Sequence, residues 1–198
     1  MEKSDKCRIC RRVGEKLFLK GEKCNSPKCT FTKKSYPPGL GGPKLRMRRG
    51  SDYSIQLKEK QKARAIYGVS ERQMQNYFNE ARKDRSATGA ILIQFLERRL
   101  DNIVYKAGWA RSRNEARQMV SHGKILLNGK KAKTASQIVS IGDKVQTKQF
   151  PEKLPTQKDL PNWINLSADL KECEIKTLPE KDELSLINEQ LIIEFYSR

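Results

Sequence analysis

The apolar positions of this chain change period several times, and each change marks an element. From Ser51 to Ala65, Tyr53, Leu57 and then Ile66 recur at helical spacing among basic residues, and Gly68 ends the run. Ser70 and Gln73 form a capping box for a second helix, in which Met74, Tyr77, Phe78 and Ala81 follow the i, i+3, i+4, i+7 stripe. Thr88 is expected to cap a third helix with Leu92, Phe95 and Leu96 inward. Leu100, Ile103 and Val104 carry an apolar face through Ala107 to the break at Gly108. Ser112 and Glu115 form another capping box; the helix behind them buries Ala116, Met119 and Val120 and stops at His122 and Gly123. The period then becomes that of strands. Ile125-Leu126-Leu127 is a short strand and Asn128-Gly129 a type I′ hairpin turn, while Ile138, Val139 and Ile141 lead through Gly142-Asp143 to a further strand at Val145. Two helices followed by a small twisted sheet make a compact α+β module.

The flanks are less regular. Residues 35–50, SYPPGLGGPKLRMRRG, read as an extended basic loop. Residues 151–182 read as mostly loop with one amphipathic piece, and Gln190 to Tyr196 as a strand or short buried segment docking back on the body. The expected fold is α+β, in five parts: a four-cysteine knuckle (1–34), the basic loop (35–50), a helical domain (51–97), a helix-helix-hairpin module (98–160) and a C-terminal extension packing on the body (161–198).

Charge narrows the function. The 198 residues carry a net charge of +18, distributed as +14 over residues 1–90, +8 over 91–150 and −4 over 151–198. Self-repulsion of that size opposes compaction, so a polyanion that offsets it is expected, nucleic acid before an anionic membrane surface. No run of 18 apolar residues offers a membrane span, and Met1 to Asp5 lack the apolar core of a signal peptide, so the expected setting is the cytosol and no homo-oligomer is called for.

In a reducing cytosol the cysteines point to metal. Cys7, Cys10, Cys24 and Cys29 are spaced C-x2-C, thirteen residues, C-x4-C, which can close a tetrahedral site around a structural Zn²⁺ with no open position for catalysis. Iron–sulfur clusters use the same ligands, but nothing else in the chain resembles redox machinery. Cys173 stands apart and reads as a small buried hydrophobe.

Candidate RNA contacts follow the charge. Arg46, Arg48 and Arg49 lie in the basic loop, Lys58, Lys62 and Arg64 on the first helix, and Arg72, Arg82 and Lys83 on and after the second. Arg111, Arg113, Asn114 and Arg117 crowd the first turns of the helix after Ser112, where cations oppose the helix dipole unless an anion compensates. Lys124, Lys130, Lys131 and Lys133 add charge around the hairpin. No phosphate-binding glycine loop or nucleophile elbow appears and His122 is the only histidine, so the expectation is a binder with no catalytic residues.

Three blocks carry a resemblance: SDYSIQLKEKQKARAIYGVSERQ, LERRLDNIVYKAGWARSRNEARQMVSHGKILLNGK and NEQLIIEFYSR. They resemble the family of bacterial small-subunit ribosomal protein four over nearly the whole chain, and the cysteines match its zinc-binding variant. Arg98 to about Val145 resembles the RNA-binding module named after that family, shared with pseudouridine synthases and tyrosyl-tRNA synthetases. The resemblance implies a primary 16S rRNA binder that recognises a multi-helix junction in the 5′ domain and nucleates assembly of the 30S body. It also implies contact with small-subunit protein five, an influence on decoding accuracy, and a place for the Arg46–Arg49 loop where mRNA enters the small subunit. Some members repress their own mRNA. Two readings compete: a ribosome-associated RNA-binding factor, and an RNA-modifying enzyme, for whose catalytic domain the chain has no room. The family's Pro-Gly-x-His-Gly loop pattern here has Gly41 in place of histidine.

Overall fold

The computed structural model describes residues 6–39, 41, 50–84, 87–149, 160–179 and 187–198, which fall into two compact units: Met1–Gly89 with Leu186–Arg198, and Ala90–Ser185. The loop arginines Arg46, Arg48 and Arg49 lie outside the described residues.

The first unit opens with three helices, α1 (Lys6–Val13), α2 (Glu22–Asn25) and α3 (Thr30–Lys33). Two longer ones follow. Ser51 caps α4 (Asp52–Tyr67) by accepting from the Ser54 amide, and Gly68 closes it in the left-handed region. Ser70 and Gln73 complete the expected capping box of α5 (Glu71–Ala81), whose Met74, Phe78 and Ala81 are buried.

The C-terminal run, expected as a strand or short buried segment, is a helix, α9 (Glu189–Tyr196). Asn188 nucleates it by accepting from the amides of Gln190 and Leu191 at 3.1 and 3.4 Å. It packs along α4 within the first unit: Gln56 donates to Glu194 at 2.9 Å, the Tyr196 ring stacks on Phe78 at 4.9 Å, and Tyr53 meets Phe195 at 5.7 Å.

Helix α6 (Thr88–Glu97) leads into the second unit. Thr88 is its first helical residue, not its cap, and donates to the Asp84 carbonyl at 2.8 Å. Leu92 and Leu96 are buried as expected, while Phe95 is half-buried. The chain breaks at Arg98 and Arg99 before α7 (Leu100–Lys106), and the break is stitched to residues 135–139: Leu100 N donates to Gln137 O at 2.8 Å and Val139 N to Arg98 O at 2.9 Å. Arg99 is fully buried and makes a bidentate pair with Asp101 at 3.0 and 2.7 Å, which satisfies a charge that would be very costly alone.

Helix α8 (Arg113–Ser121) packs on α7, and β1 (Ile125–Leu127) and β2 (Lys130–Lys131) form the expected hairpin. Asn128 and Gly129 both have positive φ, 50° and 76°, as a type I′ turn requires. The sheet is larger than expected. With β3 (Lys144–Thr147), β4 (Ile164–Leu166) and β5 (Glu172–Ile175) it has five antiparallel strands in the order β2-β1-β3-β5-β4, so part of the segment read as loop forms an edge and a central strand. Val145, Cys173, Ile175, Ile164 and Ile125 join Ile103, Val104, Ala116 and Val120 in one core.

Candidate nucleic-acid interface

The second unit gathers cations at both ends of α8. At its start Ser112 accepts from the Glu115 amide at 3.3 Å, and the Glu115 carboxylate reaches back to the Arg111 amide at 2.8 Å. The reciprocal bond is thus made one residue earlier than in a standard capping box. Arg111 and Asn114 are exposed, and Arg113 and Arg117 stand half-buried one turn apart. Arg113 is fixed: its Nε donates to Asn102 Oδ1 at 2.7 Å and its guanidinium lies 4.6 Å from the centroid of the Tyr105 ring. Glu115 offsets part of the unfavourable dipole interaction; three guanidinium groups on so few residues still form an anion-attracting end.

At the other end Gly123 turns the chain at φ 67°, and a Cβ there would lie 1.8 Å from Lys131 Cε. The end of the Lys131 side chain therefore lies over the backbone of the turn, and it is the left-handed φ that favours glycine here. Lys124 donates to Gln149 at 2.7 Å, and Lys124, Lys130, Lys131 and Lys133 are all exposed.

In the first unit the predicted contacts divide. Arg72, Arg82 and Lys83 are exposed, Lys83 pairing with Glu80 at 2.8 Å, and Lys58 is half-buried. Lys62 is only 6% exposed and its ammonium meets Glu15 at 2.7 Å and Glu59 at 3.3 Å, so in the free protein it is engaged within the fold. Arg64 is half-buried and reaches Glu71 at 2.8 Å, a largely structural bond as well. Glu71 also accepts from Lys60 and from the Tyr196 hydroxyl, both at 2.8 Å. Burial alone would raise the Glu71 carboxyl, but the bonds from Lys60 and Tyr196 and the charges of Lys60 and Arg64 hold it below its usual value.

The cysteines of the N-terminal stretch are reduced, with Cys10, Cys24 and Cys29 buried and Cys7 half-buried. Cys7 and Cys10 share a turn of α1, Cys24 lies in α2 and Cys29 is the residue before α3, so helices present them where tight turns were expected. Among the described residues no three His, Cys, Asp or Glu side chains stand close enough to hold a metal ion. The four thiols nonetheless act on one another. Burial pushes the Cys10 thiol up, a bond from the Leu17 backbone opposes this, and Cys24, Cys7 and Cys29 add to the rise. Cys24 accepts from the Lys20 amide at 3.3 Å. Burial would raise Cys29 too, but backbone bonds from Thr32 and Phe31, with the Thr32 hydroxyl and Lys16, bring it below its ordinary value.

Sequence reasoning missed Asn102 and Tyr105. Their signal was slight: the two sit three apart on α7, on one helical face away from the Leu100, Ile103, Val104 stripe.

The comparisons with known proteins agree with this geometry. The family model described as ribosomal protein S4/S9 N-terminal domain matches residues 2–97, and the S4 domain model matches residues 98–145. The small ribosomal subunit protein uS4 of Thermus thermophilus is 46% identical over 203 residues, covering 97% of this chain and 96% of that protein. Those of Syntrophomonas wolfei, 45% identical over 202 residues, and Dictyoglomus turgidum, 46% over 201, have the same two coverages.

The chain belongs to the uS4 family.

As a uS4 protein it is an rRNA-binding constituent of the small ribosomal subunit and not an enzyme. The S4 domain match begins at Arg98, where the chain breaks between α6 and α7, and ends at Val145 inside β3. Strands β4 and β5 lie beyond it. No helix among the described residues is long and apolar enough to cross a membrane.

Proposed function

We propose that this uS4 protein is a primary binder of 16S rRNA that reads a multi-helix junction of the 5′ domain, chiefly with the N-terminal end of α8 and the lysines of the hairpin, and so nucleates assembly of the 30S body. The observation that carries this is the gathering of Arg111, just before the cap, with Arg113 and Arg117 of the first turns of α8, where Arg113 is fixed by Asn102 and Tyr105. Folded RNA offers phosphates, 2′-hydroxyls and shape, and guanidinium groups held in place match phosphate geometry. Arg72, Arg82, Lys83 and Lys58 extend the proposed surface in the first unit; Lys62 joins it only by releasing Glu15 and Glu59. A hydroxyl-radical footprint of the full chain on a 16S rRNA 5′-domain transcript tests the assignment. Protection clustered at a helical junction supports it; uniform weak protection along all helices contradicts it.

Cys7, Cys10, Cys24 and Cys29 are the residues to hold a structural Zn²⁺, which would clamp the first ~35 residues at an apparent energy of about 10–16 kcal/mol. They would bind it as thiolates and orient it through the backbone bonds to Cys10, Cys24 and Cys29. Elemental analysis of the purified chain should find about one zinc per molecule by the four-ligand rule. Cys24→Ser should abolish it and loosen the N-terminal stretch, yet leave specific RNA binding partly intact because α8 and the hairpin lie elsewhere in the chain. Full loss of binding with the remainder folded would show that the cysteine segment is the main reading head.

Contact with small-subunit protein five, the placing of the Arg46–Arg49 loop where mRNA enters, and repression of the chain's own mRNA follow the resemblance. So does a cytoplasmic location. Near-complete alignment with uS4 relatives favours a constituent over a loosely associated factor, and high-salt washing of isolated subunits separates the two.

A further inference from the structure

The S4-type module contains an expensive arrangement that packing does not require. Asn102 is 1% exposed and Glu97 2% exposed, so both polar side chains have left water. Their bonds run in one direction. Asn102 Nδ2 donates to Glu97 Oε2 at 2.6 Å and to the Glu97 carbonyl at 2.9 Å. With its amide nitrogen engaged on both sides, the Asn102 carbonyl oxygen has one orientation available, and it accepts from Arg113 Nε at 2.7 Å. The Tyr105 ring, one helical turn along α7 from Asn102, supports the same guanidinium face-on at 4.6 Å.

Arg113 is the first residue of α8, where a cation opposes the dipole. A cation at a helix start, a local cost, thus falls on a side chain that a buried amide holds in place. Local costs of this kind are expected where function requires them. Fixing Nε and the plane of a guanidinium decides where its other nitrogens point, and for a phosphate ligand that orientation sets whether two oxygens can be met at once.

We propose that Asn102, backed by Glu97 and with Tyr105 beneath the guanidinium, is a positioning residue for RNA binding: it acts on a backbone phosphate of the rRNA through Arg113 and touches no RNA itself. The inference rests on the proposed interface at the start of α8.

The test is a double-mutant cycle on the full chain, binding a 16S rRNA 5′-domain transcript over a series of salt concentrations. Arg113→Ala should weaken binding about tenfold and make the salt slope shallower by about one, the signature of one lost phosphate contact. Asn102→Ala should weaken binding about fivefold, the order expected for one ordinary hydrogen bond and less than the loss of Arg113 itself, and should add nothing once Arg113 is already alanine. Arg113→Lys should lose most of the affinity that Asn102→Ala loses, since a lysine cannot use the Asn102 carbonyl as a planar fork does. If Asn102→Ala fails to fold by circular dichroism, Tyr105→Leu takes its place in the cycle, because it removes the support and leaves the buried bonds intact.

Additive losses from Asn102→Ala, or Tyr105→Leu, and Arg113→Ala would overturn the positioning role, as would normal binding by Asn102→Ala beside weak binding by Arg113→Ala. Normal binding by Arg113→Ala would instead remove the interface at the start of α8 and the inference with it.

Discussion

Replacing Glu71 by glutamine should cost the first unit far more than a surface substitution does. The carboxylate opens α5 and accepts from Lys60, Arg64 and the Tyr196 hydroxyl, each at 2.8 Å, tying α4, α5 and α9 together. Breaking a fully buried ion pair by removing one partner costs about 3–5 kcal/mol, and an exposed pair is worth under about 1 kcal/mol. Here the two ends differ: the Lys60 side chain is 6% exposed and that of Glu71 43%. Solvent screening at Glu71 lowers the figure, and the Phe195 ring, 4.1 Å from the Lys60 ammonium, continues to stabilise the cation after the change. A loss of about 2 kcal/mol results, or a fall in Tm of roughly 10 °C for a unit of this size. Thermal melts by circular dichroism measure it. The pH dependence has a definite sign. Because the folded carboxyl is held below its ordinary value, its contribution is complete above the unfolded value of about 4.3 and disappears as pH falls through the folded one. Glu71→Gln has nothing to titrate, so the Tm difference should shrink in acid. A variant melting within about 2 °C of the parent at neutral pH, on the scale set by 4–8 °C per kcal/mol, would refute the reasoning.

Two further predictions concern the second unit. Burial pushes the Cys173 thiol up to about 12, with Glu172 adding to the rise, so native protein at pH 8 should leave Cys173 unalkylated by iodoacetamide while denatured protein is modified there; equal rates by mass spectrometry would contradict its placement in the core. Gly129→Ala forces a side chain onto φ 76° in the hairpin turn and should lower stability by about 1–2 kcal/mol, read from the urea midpoint; an unchanged midpoint would mean that the turn is not the type I′ form described.

Elements whose signals are local were legible in the sequence. The caps at Ser70 and Ser112 and the Asn128-Gly129 turn act over three or four residues, and each forms at the expected residues. Strands β4 and β5 were not legible: with three and four residues each, they alternate Ile164 with Leu166 and Cys173 with Ile175 in a stretch rich in proline and charge. Their stability comes from pairing: β5 pairs with β3, a distant segment, and β4 with β5. Helix α9 was misread because LIIEFY has the β-branched and aromatic composition of a strand; the Asn188 cap and the face offered by α4 decide for helix. The same limit applied to the interface. Lys62 looked like its neighbours on a basic helix, and Glu15, the carboxylate that claims it from outside that helix, lies 47 residues away. Arg113 was named from its charge, but the support that fixes it required seeing α7 against α8.

The central claim is that the start of α8 binds RNA phosphates, and the salt dependence of affinity for a 16S rRNA 5′-domain transcript tests it most directly. The triple variant Arg111→Ala, Arg113→Ala, Arg117→Ala, verified as folded by circular dichroism, should bind far more weakly, with a slope of log K against log salt shallower by roughly two to three than the parent's. An unchanged slope and affinity would place the RNA surface elsewhere on the molecule.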